Sequence, residues 1–112
     1  MKTRAAVLYE SGSPLVVEQA ELSGPGPGEV LVRLTACGVC HSDLHILRGE
    51  WEGFDPPIVV GHEGSGIVER VGEGVTSISV GDRVVLGWKT HCGVCRQCTN
   101  GWTHLCDRSP KV

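Results

Sequence analysis

A mainly β fold is predicted: a small, partly open barrel of short strands with one short helix and a cysteine-rich lobe. Three observations predict it. Glycine is high, at 16 of 112 residues, which favours turns and short strands over long helices. The apolar runs are short, rich in β-branched residues and separated by Gly and Pro clusters. Strands do not alternate with helical patterns, so a doubly wound parallel sheet is not expected. Aromatic residues number five, three of them Trp, so the core must be built mainly from Val, Leu, Ile and Ala.

The elements follow in order. Residues 4–9 are a short apolar run closed by Glu10-Ser11-Gly12-Ser13-Pro14, a strong turn cluster. Residues 15–20 pair with them as a hairpin. Ser23-Gly24-Pro25-Gly26-Pro27-Gly28 is a stiff connector with few free backbone donors. Residues 29–37 are the clearest strand, with Val30, Val32, Leu34 and Ala36 on one parity. Residues 41–47 form a short helix, capped by Ser42 or Asp43. Residues 50–57 are loop, and 58–60, 64–71 and 82–86 are further strands. Residues 76–81 read as strand and turn. Residues 90–107 show no helix or strand period, and something other than an apolar core must organise them. Gly61, Gly64 and Gly66 open a β-like run rather than a helix, which makes them a poor phosphate loop.

Several classes are excluded early. A net charge of −3 argues against a nucleic-acid partner. The longest apolar runs, residues 5–8 and 58–60, fall far short of the ~20 residues of a membrane span. The basic start Met1-Lys2-Thr3-Arg4 is followed by too short an apolar core for a signal peptide. A cytoplasmic protein with reduced thiols is therefore expected.

Six cysteines then require a metal or redox explanation. Cys92, Cys95, Cys98 and Cys106 follow C-x2-C-x2-C-x7-C. Four thiolates complete a closed tetrahedral shell around Zn²⁺, with no position left for water. Gly93 and Gly101 supply the permissive dihedrals that so tight a loop needs. An iron–sulfur cluster competes for the same spacing, but its bacterial motif wants x3-C-P, whereas Cys106 comes after seven residues and precedes Asp107. Two disulfides would need an oxidising compartment. His91 and His104 lie nearby as bystanders to a filled shell.

A second constellation joins Cys40-His41-Ser42-Asp43 to Gly61-His62-Glu63. Cys40 and His62 sit at strand ends on separate loops, from which both can reach one ion. Asp43 or Glu63 can orient a ligating imidazole. A buried free thiol at Cys40 and a capping Asp43 account for the same residues equally well from spacing alone.

Residues 61–72, with the pattern GHE-x2-G-x5-G, resemble the zinc signature of the medium-chain alcohol dehydrogenases. Cys37-Gly38-Val39-Cys40-His41-Ser42-Asp43 resembles that family's GVCHSD segment. The four-cysteine lobe, at about residues 90–107, resembles its structural zinc lobe. The resemblance implies the GroES-like catalytic domain over residues 1–112. It implies Cys40 and His62 as ligands of a catalytic zinc, and Asp43 as the carboxylate holding the histidine. By the same resemblance Glu63 is the acidic residue beside the metal, Ser42 takes the alcohol proton and His45 ends the proton relay. His41 would contact the cofactor pyrophosphate, and Trp51 and Trp88 would line a pocket for small or flat alcohols and aldehydes. Without the family, both tryptophans read as plain packing. Cys37 has no family role and is expected to be a small buried residue.

The implied activity is alcohol oxidation with NAD or NADP. The family's third catalytic ligand, its Rossmann domain and its closing strands do not occur within these 112 residues. The four cysteines are therefore expected to hold zinc tightly, and Cys40 with His62 weakly or not at all. The chain alone is expected to be inactive, with exposed sheet edges that offer a route to a homo-oligomer. A stand-alone zinc-stabilised β module is the alternative.

Overall fold

In a computed structural model, residues 1–109 are described. The predicted mainly β fold with open sheets is what forms. Strands β1 (Lys2–Leu8) and β2 (Val16–Glu21) make the N-terminal hairpin, and β4 (Ile58–Val59) pairs with the other edge of β1. Strands β3 (Val30–Gly38), β5 (Glu63–Val71) and β6 (Arg83–Val85) form a second antiparallel sheet in the order β3-β5-β6. A single two-turn helix, α1 (His41–Leu47), leaves the end of β3. The core is small. Leu8 and Val68 are fully buried, and Val7 and Ile46 nearly so. Burying one such side chain contributes about 1.5–3 kcal/mol.

Four expectations need correction. The single parity of Val30, Val32, Leu34 and Ala36 does not hold. Register shifts between Leu31 and Val32 and between Leu34 and Ala36 break the alternation, and Leu34 ends 53% exposed. Each one-residue slip moves the following side chains to the other face. Residues 76–81 contain no strand. The N–H of Ser79 donates to Asp82 Oδ2 at 2.8 Å, and the N–H of Asp82 returns to the Ser79 carbonyl at 3.1 Å. A side-chain turn thereby competes successfully with ladder pairing. The lobe is not devoid of helix. One turn, α2 (Arg96–Thr99), and a 3₁₀ turn, Thr103–Leu105, flank Gly101. Cys37 is exposed rather than buried.

The glycines of the 61–72 signature have steric reasons. Gly61 adopts φ +110°, a region closed to most side chains. A Cβ at Gly66 would stand 2.3 Å from the Arg33 carbonyl oxygen, and one at Gly72 would stand 1.9 Å from that of Gly26. These glycines let β5 lie close against its neighbours and are no phosphate cradle.

Candidate metal centres and ring-lined cavity

The helix cap builds one side of the central site. Cys40, with extended dihedrals, is the N-cap of α1. Neither Ser42 nor Asp43 occupies that position, in contrast to expectation. Asp43 lies three residues into the helix, and its Oδ2 accepts the Cys40 N–H at 3.0 Å, half of a capping box. Its other oxygen, Oδ1, is buried without a hydrogen bond, yet His62 Nδ1 lies only 3.2 Å away. The side chains involved are 10% and 16% exposed. One carboxylate therefore faces both the backbone of Cys40 and the ring of His62. On the other ring nitrogen, Ser42 Oγ lies 3.3 Å from His62 Nε2.

The strand register supplies a third donor. Gly38 opposes Glu63 in the β3–β5 ladder. A Cβ on Gly38 would stand 2.1 Å from Glu63 Oε2, so the missing side chain is the space the carboxylate uses. As a result Cys40, His62 and Glu63 offer a sulfur, a nitrogen and an oxygen all within 4.8 Å of one another. This donor set suits a divalent borderline ion such as Zn²⁺, with a fourth position open. The buried, unsatisfied Asp43 Oδ1 supports the fit. It is placed to accept Nδ1–H from His62, which leaves the Nε2 lone pair for a metal. Gly38→Ala is expected to push the Glu63 carboxylate aside and weaken metal binding at this group about tenfold, an effect of the size that supporting residues have. Zinc titration against a competing chelator would measure it, and unchanged affinity would remove Glu63 from the donor set.

Four rings, those of His41, His45, Trp51 and Trp88, lead in a chain to the ring of His62 in this group. His41 and His45 lie 4.9 Å apart on α1, and His45 stacks on Trp51 at 5.3 Å and 14°. Trp51 stacks on Trp88 at 6.0 Å, and Trp88 lies 4.0 Å from the ring of His62. A cavity of about 250 Å³ opens beside His62, walled by Ile46, Phe54, Ile58, Val60 and Trp88. Phe54, 6.1 Å from Trp51, had no part in the sequence-based site. Its only signal was its place in the same loop as Trp51. His45 also meets Glu50 through Nδ1. That hydrogen bond, with the positive charge of nearby Arg48 and of any protonated histidine, holds the Glu50 carboxyl below its ordinary range.

The four-cysteine lobe is a separate centre. All four sulfurs lie within 4.8 Å of one another. Cys95 Sγ is 3.4 Å from Cys98 Sγ and 3.9 Å from Cys106 Sγ. A tetrahedron with Zn–S bonds of about 2.3 Å has edges near ~3.8 Å, so the sulfurs already outline such a shell. The N–H of Cys95 points at Cys92 Sγ, and that of Cys92 at Cys106 Sγ. Backbone N–H groups of Cys98 and Asp107 draw the Cys95 thiol down to about 6, whereas burial pushes Cys98 up to about 12. Hydrogen bonding, first from the Cys92 backbone, also draws the Cys106 thiol down, so buried Cys98 is the thiol that most needs a cation to ionise. The group consists of the four sulfurs, with His91 and His104 outside it.

Comparison with known proteins identifies a family. Residues 26–112 match the alcohol dehydrogenase GroES-like domain family. The chain is 50% identical to the NDMA-dependent alcohol dehydrogenase of Amycolatopsis methanolica, matching along all of its own length and 30% of that protein's. It superposes with a TM-score of 0.87 on the cobalt- and zinc-bound thermostable alcohol dehydrogenase of Pyrobaculum aerophilum, at 39% identity, covering 97% of this chain and 33% of that one. Benzyl alcohol dehydrogenase of Acinetobacter calcoaceticus gives a TM-score of 0.89 at 38% identity, with 96% and 29% covered. The chain thus spans about a third of the length of these proteins. With its GHE signature, its four-cysteine lobe and its open sheets, the chain belongs to the alcohol dehydrogenase GroES-like domain family.

Proposed function

We propose that this chain is the catalytic-domain portion of a zinc-dependent alcohol dehydrogenase, one that oxidises alcohols to aldehydes or ketones with NAD or NADP. The observation that carries the reading is the convergence of Cys40, His62 and Glu63 beside Ser42, at a cavity walled by Trp88 and Phe54. Zinc at this group would supply positive charge that lowers the pKa of a substrate hydroxyl, and the nicotinamide would accept the hydride. The chain's own residues do the rest. Asp43 turns His62 so that Nε2 faces the donor group. Ser42 Oγ takes the alcohol proton and passes it on toward His45, three residues on along the same face of α1. His45 is partly exposed and releases the proton to water. His41 is assigned to the cofactor pyrophosphate, with which a protonated imidazole pairs well. Trp88 and Phe54 shape the cavity, with Trp51 stacked on Trp88 outside its lining, for small or flat alcohols, including aromatic ones like the substrate in the name of the Acinetobacter relative.

Zinc in the four-cysteine lobe is structural in this reading. Six unpaired cysteines suit the reducing cytoplasm. No helix among the described residues is long and apolar enough to cross a membrane. The net charge of −3 fits a small-molecule substrate rather than nucleic acid, and the open sheet edges leave a homo-oligomer in view. A stand-alone zinc-stabilised module accounts for the lobe but gives no role to the second donor group and its ring-lined cavity.

The test is alcohol-dependent reduction of NAD or NADP, with benzyl alcohol as the probe, by the protein that carries this domain beside a nicotinamide site. Turnover is expected, and Ser42→Ala should reduce it about 100-fold or more. Absence of turnover in the unaltered protein, or full turnover in Ser42→Ala, would sink the proposal. The 112 residues alone are expected to show none.

A further inference from the structure

We propose that Glu50 is a positioning residue for His45: it fixes the imidazole as the Nδ1–H tautomer and leaves Nε2 as the one lone pair able to take a proton. The assignment deepens the reading above and rests on it for the role of His45.

The argument begins at the backbone. Arg48 is the C-cap of α1, and Gly49 follows with φ +69°. The N–H of Gly49 donates to the Ile46 carbonyl, and that of Glu50 to the His45 carbonyl at 2.9 Å. These two bonds are the Schellman motif. It brings the second residue past the cap next to the one three before it, and helices commonly fill that contact with an apolar pair. Here the pair is Glu50 and His45. The same turn that ends the helix delivers a carboxylate to the imidazole.

Electrostatics and stacking then decide the tautomer. Arg48 Nη1 lies 3.8 Å from Glu50 Oε1, and His41 flanks His45 on the helix, so every neighbouring charge favours the ionised carboxylate. An ionised carboxylate only accepts hydrogen bonds. The ring nitrogen facing it, Nδ1, must therefore carry a hydrogen. Trp51 lies flat against the ring, at an interplanar angle of 14°, and resists its rotation. In the proposed relay, the proton that leaves the alcohol by way of Ser42 is taken up at His45 Nε2. The resulting imidazolium keeps Nδ1–H on Glu50 until Nε2–H passes to water.

The test is the ring ¹⁵N spectrum of His45 in the zinc-loaded chain, recorded at a pH high enough that its two ring nitrogens show the distinct shifts of a neutral imidazole. The unaltered chain is expected to show Nδ1–H. Glu50→Ala should revert to the Nε2–H form that free imidazole side chains favour. Glu50→Gln, whose amide oxygen can still accept, should retain Nδ1–H. The sheet amide signals should be unchanged in all three, because the backbone turn does not depend on the side chain. Nε2–H in the unaltered chain, or Nδ1–H surviving in Glu50→Ala, would overturn the assignment. The two readings fail separately: absence of alcohol oxidation defeats the proposed function, whereas the tautomer result defeats or upholds the grip of Glu50 on the ring.

Discussion

Cys98→Ser is expected to cost the chain one equivalent of tightly bound zinc and to unfold residues 92–106 while the two sheets persist. Cys98 is buried, and its sulfur lies 3.4 Å from that of Cys95. Serine would replace a soft ligand with a buried hydroxyl, leaving three sulfurs and no closed shell. The lobe has little else to hold it. Its buried side chains are Cys95 and Cys98 themselves, while Val94, Trp102 and Leu105 are more than half exposed. In such a domain metal affinity is folding free energy. Bound zinc would be counted with a chromogenic chelator, and amide exchange followed at Thr99, Gly101 and Trp102, whose N–H groups are hydrogen-bonded within the lobe. Retention of the full zinc equivalent, or continued protection of those amides, would count against a metal-organised lobe. His62→Ala should lose metal from the other group and leave the lobe intact.

Gly66→Ala should lower stability by about 3 kcal/mol, at the upper end of what overpacking costs. That amounts to roughly 13 °C in Tm for a domain of this size. The added methyl would meet the Arg33 carbonyl oxygen at 2.3 Å and Val32 Cγ1 at 2.8 Å. The first of these is backbone inside the β3–β5 ladder and cannot move without parting the strands. Gly87→Ala is the control. No atom lies within 4 Å of the new carbon there, so the change should be neutral or stabilising by up to about 1 kcal/mol. Equal melting temperatures for the two variants would mean that the close approach at Gly66 carries no energetic weight.

The features legible in the sequence are those set by local chemistry. The hairpin shows because residues 10–14 are a strong turn cluster between apolar runs. Helix α1 starts at His41 and ends at Leu47 as read, although its capping residue is Cys40 rather than Ser42 or Asp43. The four-sulfur lobe was legible from spacing alone, because a tetrahedral ion dictates how far apart its ligands fall in a tight loop. The features that were hidden depend on register. Nothing local says that Gly38 opposes Glu63, and that pairing is what swings a carboxylate toward Cys40 and His62. Residues 76–81 alternate like a strand, but Asp82 captures the Ser79 N–H and folds them into turns. Helix α2 is a single turn held between two cysteines, too short to leave a period. The contact between Glu50 and His45 follows from a rule of helix termination, and Gly49 was its visible sign.

Trp51 stacks on both His45 and Trp88, and of these three rings it is Trp88 that lines the cavity beside His62. In the function proposed above, pocket shape and proton transfer would therefore be coupled through this stack of rings. A smaller residue at 51 would free the His45 ring and remove the stacking partner of Trp88, and its effect should depend on whether Glu50 is present. Changes at 50 and 51 should be strongly non-additive. Routes to new specificity are thus better sought at Phe54 or Ile58, which border the cavity without stacking on His45.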